Sequence, residues 1–458
     1  MRRLNKGCFL YPLILIILLT SCVSAPEKQT DVEQTASEPE KIEESENPLS
    51  FYNGPEDVEK ALKVMEDMEN DKMDRDSRFI YYSLLISSNE IDKAIEQLKI
   101  LLSENENDIE SLIAFIAIMD YSGDTEQRDI SLNKLIEIDA DNSFAHNMRG
   151  SLALRDKNYA KAEISFLKSL QADPGNVDSY IGRGNSLMHI EGREEESVSS
   201  FDAAEKIDPD NPYIYSDRSR VLRFLKDYGR AEDDMSKAIS LFPSEWNYLD
   251  RARIRLADLD DKAGAKEDLN QILLQNNSNF FANVYLAGIY DEEKEYDLAL
   301  DFYEKIISLA GDYHYAYPAL GKLYYIKGRW NQAAEMYARA SFSGSKEMSY
   351  PLMASLCYTL DGDKNKAKSI LNDNIGKLDR SSSIYEMYRY FLNPSSPYFV
   401  QMAIDKDKNE TLRERMKFYL AMIDKLNGHK DTASVILSEI SGRKGAYEFE
   451  LAAHELEN

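Results

Sequence analysis

A small residue returns along this chain at a nearly fixed interval, as Ala94, Ala162, Ser197, Ala231, Ala265, Ala299, Ala333 and Ala367. From Ser197 to Ala367 every step is 34 residues. A period of that length means one supersecondary unit copied many times, and it restricts the fold to a stack of such units. The unit is plainest in residues 143–176. There His146, Arg149, Gly150 and Ala153 follow at i, i+3, i+4 and i+7, and Ala162, Phe166 and Ser169 at i, i+4 and i+7. Both are helix-face spacings, so the unit reads as two short amphipathic helices. Lys157-Asn158 makes the turn between them, and Gly150 and Ala162 are small where the helices cross. Asp173-Pro174 closes the second helix, because proline cannot continue one. Such a hairpin cannot bury its apolar face alone and needs neighbours of the same kind.

Units begin near Arg75, Ile109, Ser143, Val177, Pro212, Trp246, Phe280, His314 and Met348. Pro174, Pro209 and Pro243 are separated by 35 and then 34 residues, which places one inserted residue near Gly192. The unit at Ile109 is degenerate, with Arg128 where the small residue belongs. The pattern breaks from Ser382. Tyr385, Tyr388 and Leu392 still share a helix face, but Pro394 and Pro397 interrupt the turn. A last unit over residues 414–447 restores the pattern with Leu420, Ala421, Ala433, Leu437 and Ile440. Before the first unit, Val58, Leu62 and Met65 line one face of a half-unit, and residues 446–458 read as a polar capping helix.

The period and the pattern together resemble the tetratricopeptide repeat, whose first helix carries W-x2-L-G-x2-Y and whose second carries Ala, Phe and Pro. Tyr317, Leu320-Gly321, Tyr324, Ala333, Tyr337 and Ala340 match it most closely. The resemblance implies an all-α fold, a tetratricopeptide-type α-solenoid that is a right-handed superhelix of helix-turn-helix repeats, counted as one elongated domain. The expected organisation is residues 1–21, a leader; 22–50, a tether; 51–74, a capping helix; 75–381, nine repeats; 382–413, a divergent unit; and 414–458, a final repeat with a capping helix.

Residues 1–21 stand outside the repeats. Arg2, Arg3 and Lys6 precede an apolar run from Phe9 to Leu19, the pattern of a secretory signal. Leu19-Thr20-Ser21-Cys22 resembles the lipobox of bacterial lipoproteins, which implies acylation of Cys22. The competing reading is an ordinary signal peptide with a chance cysteine. Residues 23–50 are rich in Glu, Ser, Thr and Pro and too poor in apolar residues to fold, as befits a tether. Val23 and Ser24 follow Cys22 with no Asp, and by resemblance to enteric lipoproteins this implies the outer membrane, facing the periplasm or the cell surface. The only cysteine outside this leader region is Cys357, so an exported chain has no pair for an internal disulfide. Cys357 reads as a small buried apolar residue.

The formal net charge is −26, and loss of Arg2, Arg3 and Lys6 would take it to −29. A balance this acidic excludes nucleic acid as a partner and argues against adhesion of the protein body to an anionic membrane. It serves solubility, or it matches a basic partner. The five histidines, His146, His189, His314, His429 and His454, are scattered, and HExxH, CxxC and Walker patterns are absent. Gly182-Arg183-Gly184 lies inside a first-helix pattern and is no dinucleotide loop. Asp361, Asp363 and Asn365 imitate the start of a calcium loop, but Lys366 replaces its glycine and Asn372 its bidentate glutamate. The repeats leave no room for a catalytic domain, so neither an enzyme nor a cofactor is expected.

The expected function is a lipid-anchored scaffold that binds a protein or peptide in the groove of the repeats, in envelope assembly or transport. A surface adhesin and a carrier of a small apolar ligand are the alternatives. First-helix positions that line the groove in the resembled family fall here on Asn147, Ser151, Ile181, Asn185, Tyr213, Arg220, Arg223, Phe281, Tyr315, Lys322 and Tyr325. The cations among them suggest recognition of a carboxylate or an acidic peptide. The paired Lys and Asn of carboxylate-clamp members are absent from any single unit. Arg149, Arg183, Arg218 and Arg251 recur in successive first helices, which resembles the Arg-Gly variety of the repeat. Asp234 and Asp268 stand three residues after Ala231 and Ala265, and Arg218 and Arg251 are expected to pair with them inside the stack.

Overall fold

The computed structural model describes residues 55–68, 73–342, 347–394 and 397–458. Cys22, the leader of residues 1–21 and the tether of residues 22–50 lie outside the described residues. Among the described residues there are 24 helices and no strand, the all-α architecture that the period requires. None of these helices is long and apolar enough to cross a membrane. The chain divides into two compact units, Met1–Pro209 and Asp210–Asn458, where the sequence reading expects one elongated domain. In a stack each helix pair packs on its neighbours only, so no single core gathers the whole chain.

The N-terminal unit contains α1 (Pro55–Asp67), α2 (Arg75–Ser87), α3 (Ile91–Glu104), α4 (Ile109–Ser122), α5 (Thr125–Ile138), α6 (Ser143–Arg155), α7 (Tyr159–Ala172), α8 (Val177–Leu187) and α9 (Glu194–Ile207). Two of its second-to-first helix junctions are set by asparagine caps. Asn142 accepts from the Ala145 amide at 3.0 Å and Asn176 from the Ser179 amide at 2.9 Å, satisfying backbone donors that a helix start leaves open. The Phe166 ring of α7 is wedged between α6 and α8. A Cβ on Gly150 would lie 2.7 Å from that ring and one on Gly182 only 2.3 Å, so both glycines are required by close approach. His146 is buried and donates from Nε2 to the Ala140 carbonyl at 2.8 Å. In the degenerate unit, buried Arg128 brings its guanidinium out to Asp120 at 2.8 Å and Asp129 at 2.7 Å.

The C-terminal unit contains α10 (Pro212–Phe224), α11 (Tyr228–Leu241), α12 (Glu245–Ala257), α13 (Lys262–Gln275), α14 (Phe280–Glu292), α15 (Tyr296–Leu309), α16 (Ala316–Ile326), α17 (Trp330–Phe342), α18 (Ser349–Asp361) and α19 (Lys364–Ile375). It continues with α20 (Ser383–Leu392), α21 (Tyr398–Lys406), α22 (Glu410–Leu426), α23 (Lys430–Ile440) and α24 (Tyr447–Glu457). Helix α22 starts earlier than residue 414, because Asn409 caps it by accepting from the Leu412 amide at 3.0 Å. Cys357 of α18 is fully buried among apolar side chains, and burial pushes its thiol well above the ordinary range. Asp363 caps α19 by accepting from the Lys366 amide at 3.0 Å, so the calcium-like segment is a turn.

One backbone feature marks the phase in both units. Asn89, Gly123, Lys157 and Gly192, then Lys226, Asp260, Lys294, Gly328 and Gly362, all hold φ between 55° and 91° in the turn inside a helix pair. Successive members within each unit are 34 residues apart, except the step of 35 from Lys157 to Gly192. The inserted residue therefore lies in the turn of residues 188–193, between α8 and α9.

Candidate partner-binding surfaces

The repeated arginines of the C-terminal unit point inward. Arg218 on α10 donates from Nε and Nη2 to the two carboxylate oxygens of Asp234 on α11, both at 2.8 Å, and both residues are buried. Arg251 on α12 makes the same fork to Asp268 on α13, at 3.0 and 2.5 Å, and adds Ser236 at 2.9 Å. Such bidentate pairs fix a helix hairpin in one register. Asp268 also accepts from Arg255 at 3.0 Å, a partner that sequence reading missed. Arg255 stands one helical turn after Arg251, and that spacing is the signal that would have found it. In the N-terminal unit the matching arginines find other acceptors. Arg149 reaches Asn133 at 2.9 Å and Arg183 reaches Ser200 at 2.8 Å.

The expected groove residues are divided between the two units. Asn147 and Asn185 belong to the N-terminal unit, with Ser151 and Ile181, and all four are half-buried. Asn147 donates to Ser179 at 2.7 Å. In the C-terminal unit Arg220 pairs with Asp217 at 2.5 Å, and Arg223 donates to Asp258. Both cations thus already hold carboxylates of their own chain. Tyr213, Phe281 and Tyr315 are open to solvent, as is neighbouring Trp246, each between 50% and 71% exposed. The rings of Phe281, Phe280, Tyr313 and Tyr315 touch in sequence, with centroids 5.8, 5.0 and 5.5 Å apart.

Lys322 and Tyr325 require correction. Both lie on the first helix α16 at the expected register, yet both are buried, because α24 returns and covers them. Lys322 Nζ donates to Glu450 at 2.7 Å and to Asp291 at 2.9 Å. The Tyr325 hydroxyl donates to Glu455 at 2.6 Å, and Lys425 donates to the other oxygen of that carboxylate at 2.7 Å. Arg415 of α22 forks onto Glu448, with both contacts at 3.0 Å, and reaches Glu347 at 3.0 Å. Tyr419 adds a hydroxyl to Glu448 at 3.0 Å, and Ser349 meets the Tyr447 hydroxyl at 3.0 Å. Burial pushes the Glu448 carboxyl up against the opposing pull of Arg415. The expected polar capping helix is therefore amphipathic, with Glu448, Phe449, Leu451 and Ala452 buried together. The glutamates made that face look solvated in the sequence, although the spacing of Phe449 and Ala452 was legible.

Among the described residues no group of His, Cys, Asp and Glu is placed to hold a metal ion. The tetratricopeptide repeat family matches residues 145–176 and 284–313. Tetratricopeptide repeat protein 13 of Homo sapiens is 26% identical over 170 residues, which cover 36% of this chain and 20% of that protein. A DnaJ homolog subfamily C member 7 homolog of Schizosaccharomyces pombe is 25% identical over 211 residues, covering 43% of this chain and 44% of the relative. The chain thus spans less than half the length of these curated relatives. The solved C-terminal part of a repeat protein from Cytophaga hutchinsonii is 17% identical, with a TM-score of 0.41, covering 51% of this chain and 95% of that one. The chain is an all-α protein of stacked helix pairs, similar at residues 145–176 and 284–313 to the tetratricopeptide repeat.

Proposed function

We propose that this chain is a lipid-anchored scaffold of the bacterial envelope that holds a protein or peptide partner on the first-helix surface of its C-terminal unit. The observation that carries this reading is the row of exposed aromatics at the starts of α10, α12 and α14 and just ahead of α16: Tyr213, Trp246, Phe281 and Tyr315. Tyr213, Phe281 and Tyr315 hold one repeat position and Trp246 the position before it. Large apolar side chains left in water on successive repeats mark a surface for another molecule, and repeat stacks present such extended surfaces. Tyrosine and tryptophan contribute contact area at small entropic cost and keep a polar handle for a peptide backbone. In this reading Cys22 carries the acyl chains, residues 23–50 hold the body away from the outer membrane, and the acidic body stays off anionic lipid.

Two measurements test the two halves separately. Cys22→Ala is expected to move the protein from the membrane fraction to the soluble fraction, and retention in the membrane would overturn the anchor. Crosslinking in intact envelopes is expected to give one dominant adduct that Phe281→Ala with Tyr315→Ala removes while helical signal and melting stay unchanged. An adduct that survives this change places the partner elsewhere.

A further inference from the structure

Helix α24 makes contacts of a kind unlike the rest of the stack. The arginine–aspartate pairs of α10–α13 join residues 16 or 17 positions apart. Lys322 to Glu450 and Tyr325 to Glu455 span 128 and 130 positions. The chemistry is also divided by side. To α24 the receiving face presents cations and hydroxyls, from Lys322 and Tyr325 on α16, Ser349 on α18, and Arg415, Tyr419 and Lys425 on α22, with Asp291 and Glu347 behind Lys322 and Arg415. The incoming helix supplies three carboxylates, Glu448, Glu450 and Glu455, around the apolar ridge of Phe449, Leu451 and Ala452. In a chain of net charge −26, three cations here outnumber the carboxylates of Asp291 and Glu347 that two of them also hold, a surplus that an acidic helix complements. The joint to the rest of the fold is slight. Residues 441–446 contain Gly442 and Gly445, the latter at φ 95°, and Ala446 gives α24 no side-chain cap.

We propose that the face of α16, α18 and α22 is a recognition site for an acidic amphipathic helix, that α24 is its resident occupant, and that a partner helix with the same pattern displaces it. The pattern is a ridge of apolar residues flanked by glutamates that meet Arg415, Lys322 and the Tyr325–Lys425 pair. This site shares no residue with the exposed aromatics, and the proposal does not rest on the reading built on them. A resident helix scales the apparent affinity for a competitor down to the fraction of time that the site stands vacant, so loosening it should raise that affinity.

The test uses the full chain and a fluorescent peptide of residues 446–458 as the acidic helix. Glu450→Lys with Glu455→Lys is expected to unseat α24. The peptide then binds this variant with a dissociation constant on the order of micromolar and binds the parent at least about tenfold more weakly. Adding Lys322→Glu to the variant should abolish peptide binding. In the parent, amides of residues 447–457 should exchange with solvent faster than those of α18 and α22, as expected for a segment that opens below the global unfolding free energy. Exchange of α24 in step with α22 would overturn the proposal even if the variant fails to fold, and so would a folded variant that ignores the peptide. A variant that dimerises with rising concentration would also overturn it, since the site would then belong to a second copy of this chain.

Discussion

The C-terminal unit contains two ways of burying the same kind of material. From α10 to α15 the apolar clusters are local. Leu249, Ala252, Ala265, Leu269, Ile272, Ala282, Leu286 and Ile289 form one that draws on three consecutive helices. Charge is buried there inside single hairpins, as Arg218–Asp234 and Arg251–Asp268. Starting on α15, one continuous cluster runs from Ala299 to Ala452, and polar groups along it are satisfied across the chain by α24. The first region is a stack whose stability is a sum of neighbour terms, whereas the second closes on itself through α24, the piece expected to open first.

Five substitutions would break or sharpen that contrast, in falling order of effect. Arg415→Ala strands the fully buried Glu448 and is expected to cost about 3–5 kcal/mol by denaturant melting. Hydrogen exchange should then rise together from α16 through α24 and leave α10–α13 protected; a uniform rise across the unit would abolish the distinction. Arg218→Ala leaves Asp234 without its fork, at an expected cost of about 2–3 kcal/mol, with faster exchange confined to α10, α11 and their neighbours. Gly321→Ala would put a Cβ 2.8 Å from the Tyr337 ring in the closed region, for a loss of about 1–3 kcal/mol. Gly288→Ala, with nothing within 4 Å in the regular region, should instead gain about 0.5–1 kcal/mol. Opposite signs in the melting temperatures of these two variants are the outcome to look for. Lys226→Gly relieves a left-handed turn in the regular region and should gain up to about 1 kcal/mol. An unchanged melt would mean that the Lys226 side chain supplies a compensating contact.

What the sequence made legible follows the same division. The period, the small residues at helix crossings and the Arg218 and Arg251 partners are all set within one or two units, where spacing alone carries the information. The register of Lys322 and Tyr325 was equally readable, but register cannot say which distant segment lies on top of a residue. Phe449 and Ala452 advertised a buried face, while Glu448 and Glu450 disguised it, because a carboxylate on a helix normally signals solvent. The turn inside a helix pair is legible at Lys157-Asn158 and in the calcium-like segment at Asp361, but its left-handed conformation is not. Its phase is hidden because Asn, Lys and Asp occupy five of the nine positions and glycine only Gly123, Gly192, Gly328 and Gly362.

The burial of Cys357 has a practical consequence. A form of the chain starting after Ser50 carries that single sulfhydryl, since Cys8 and Cys22 precede it. Sealed inside the closed region and held protonated, it is inert until that region parts. The rate at which an alkylating reagent consumes it is therefore a clock for opening, built in without any engineered label. It would tick faster whenever α18 is laid bare, and it would stay silent while only the regular stack breathes.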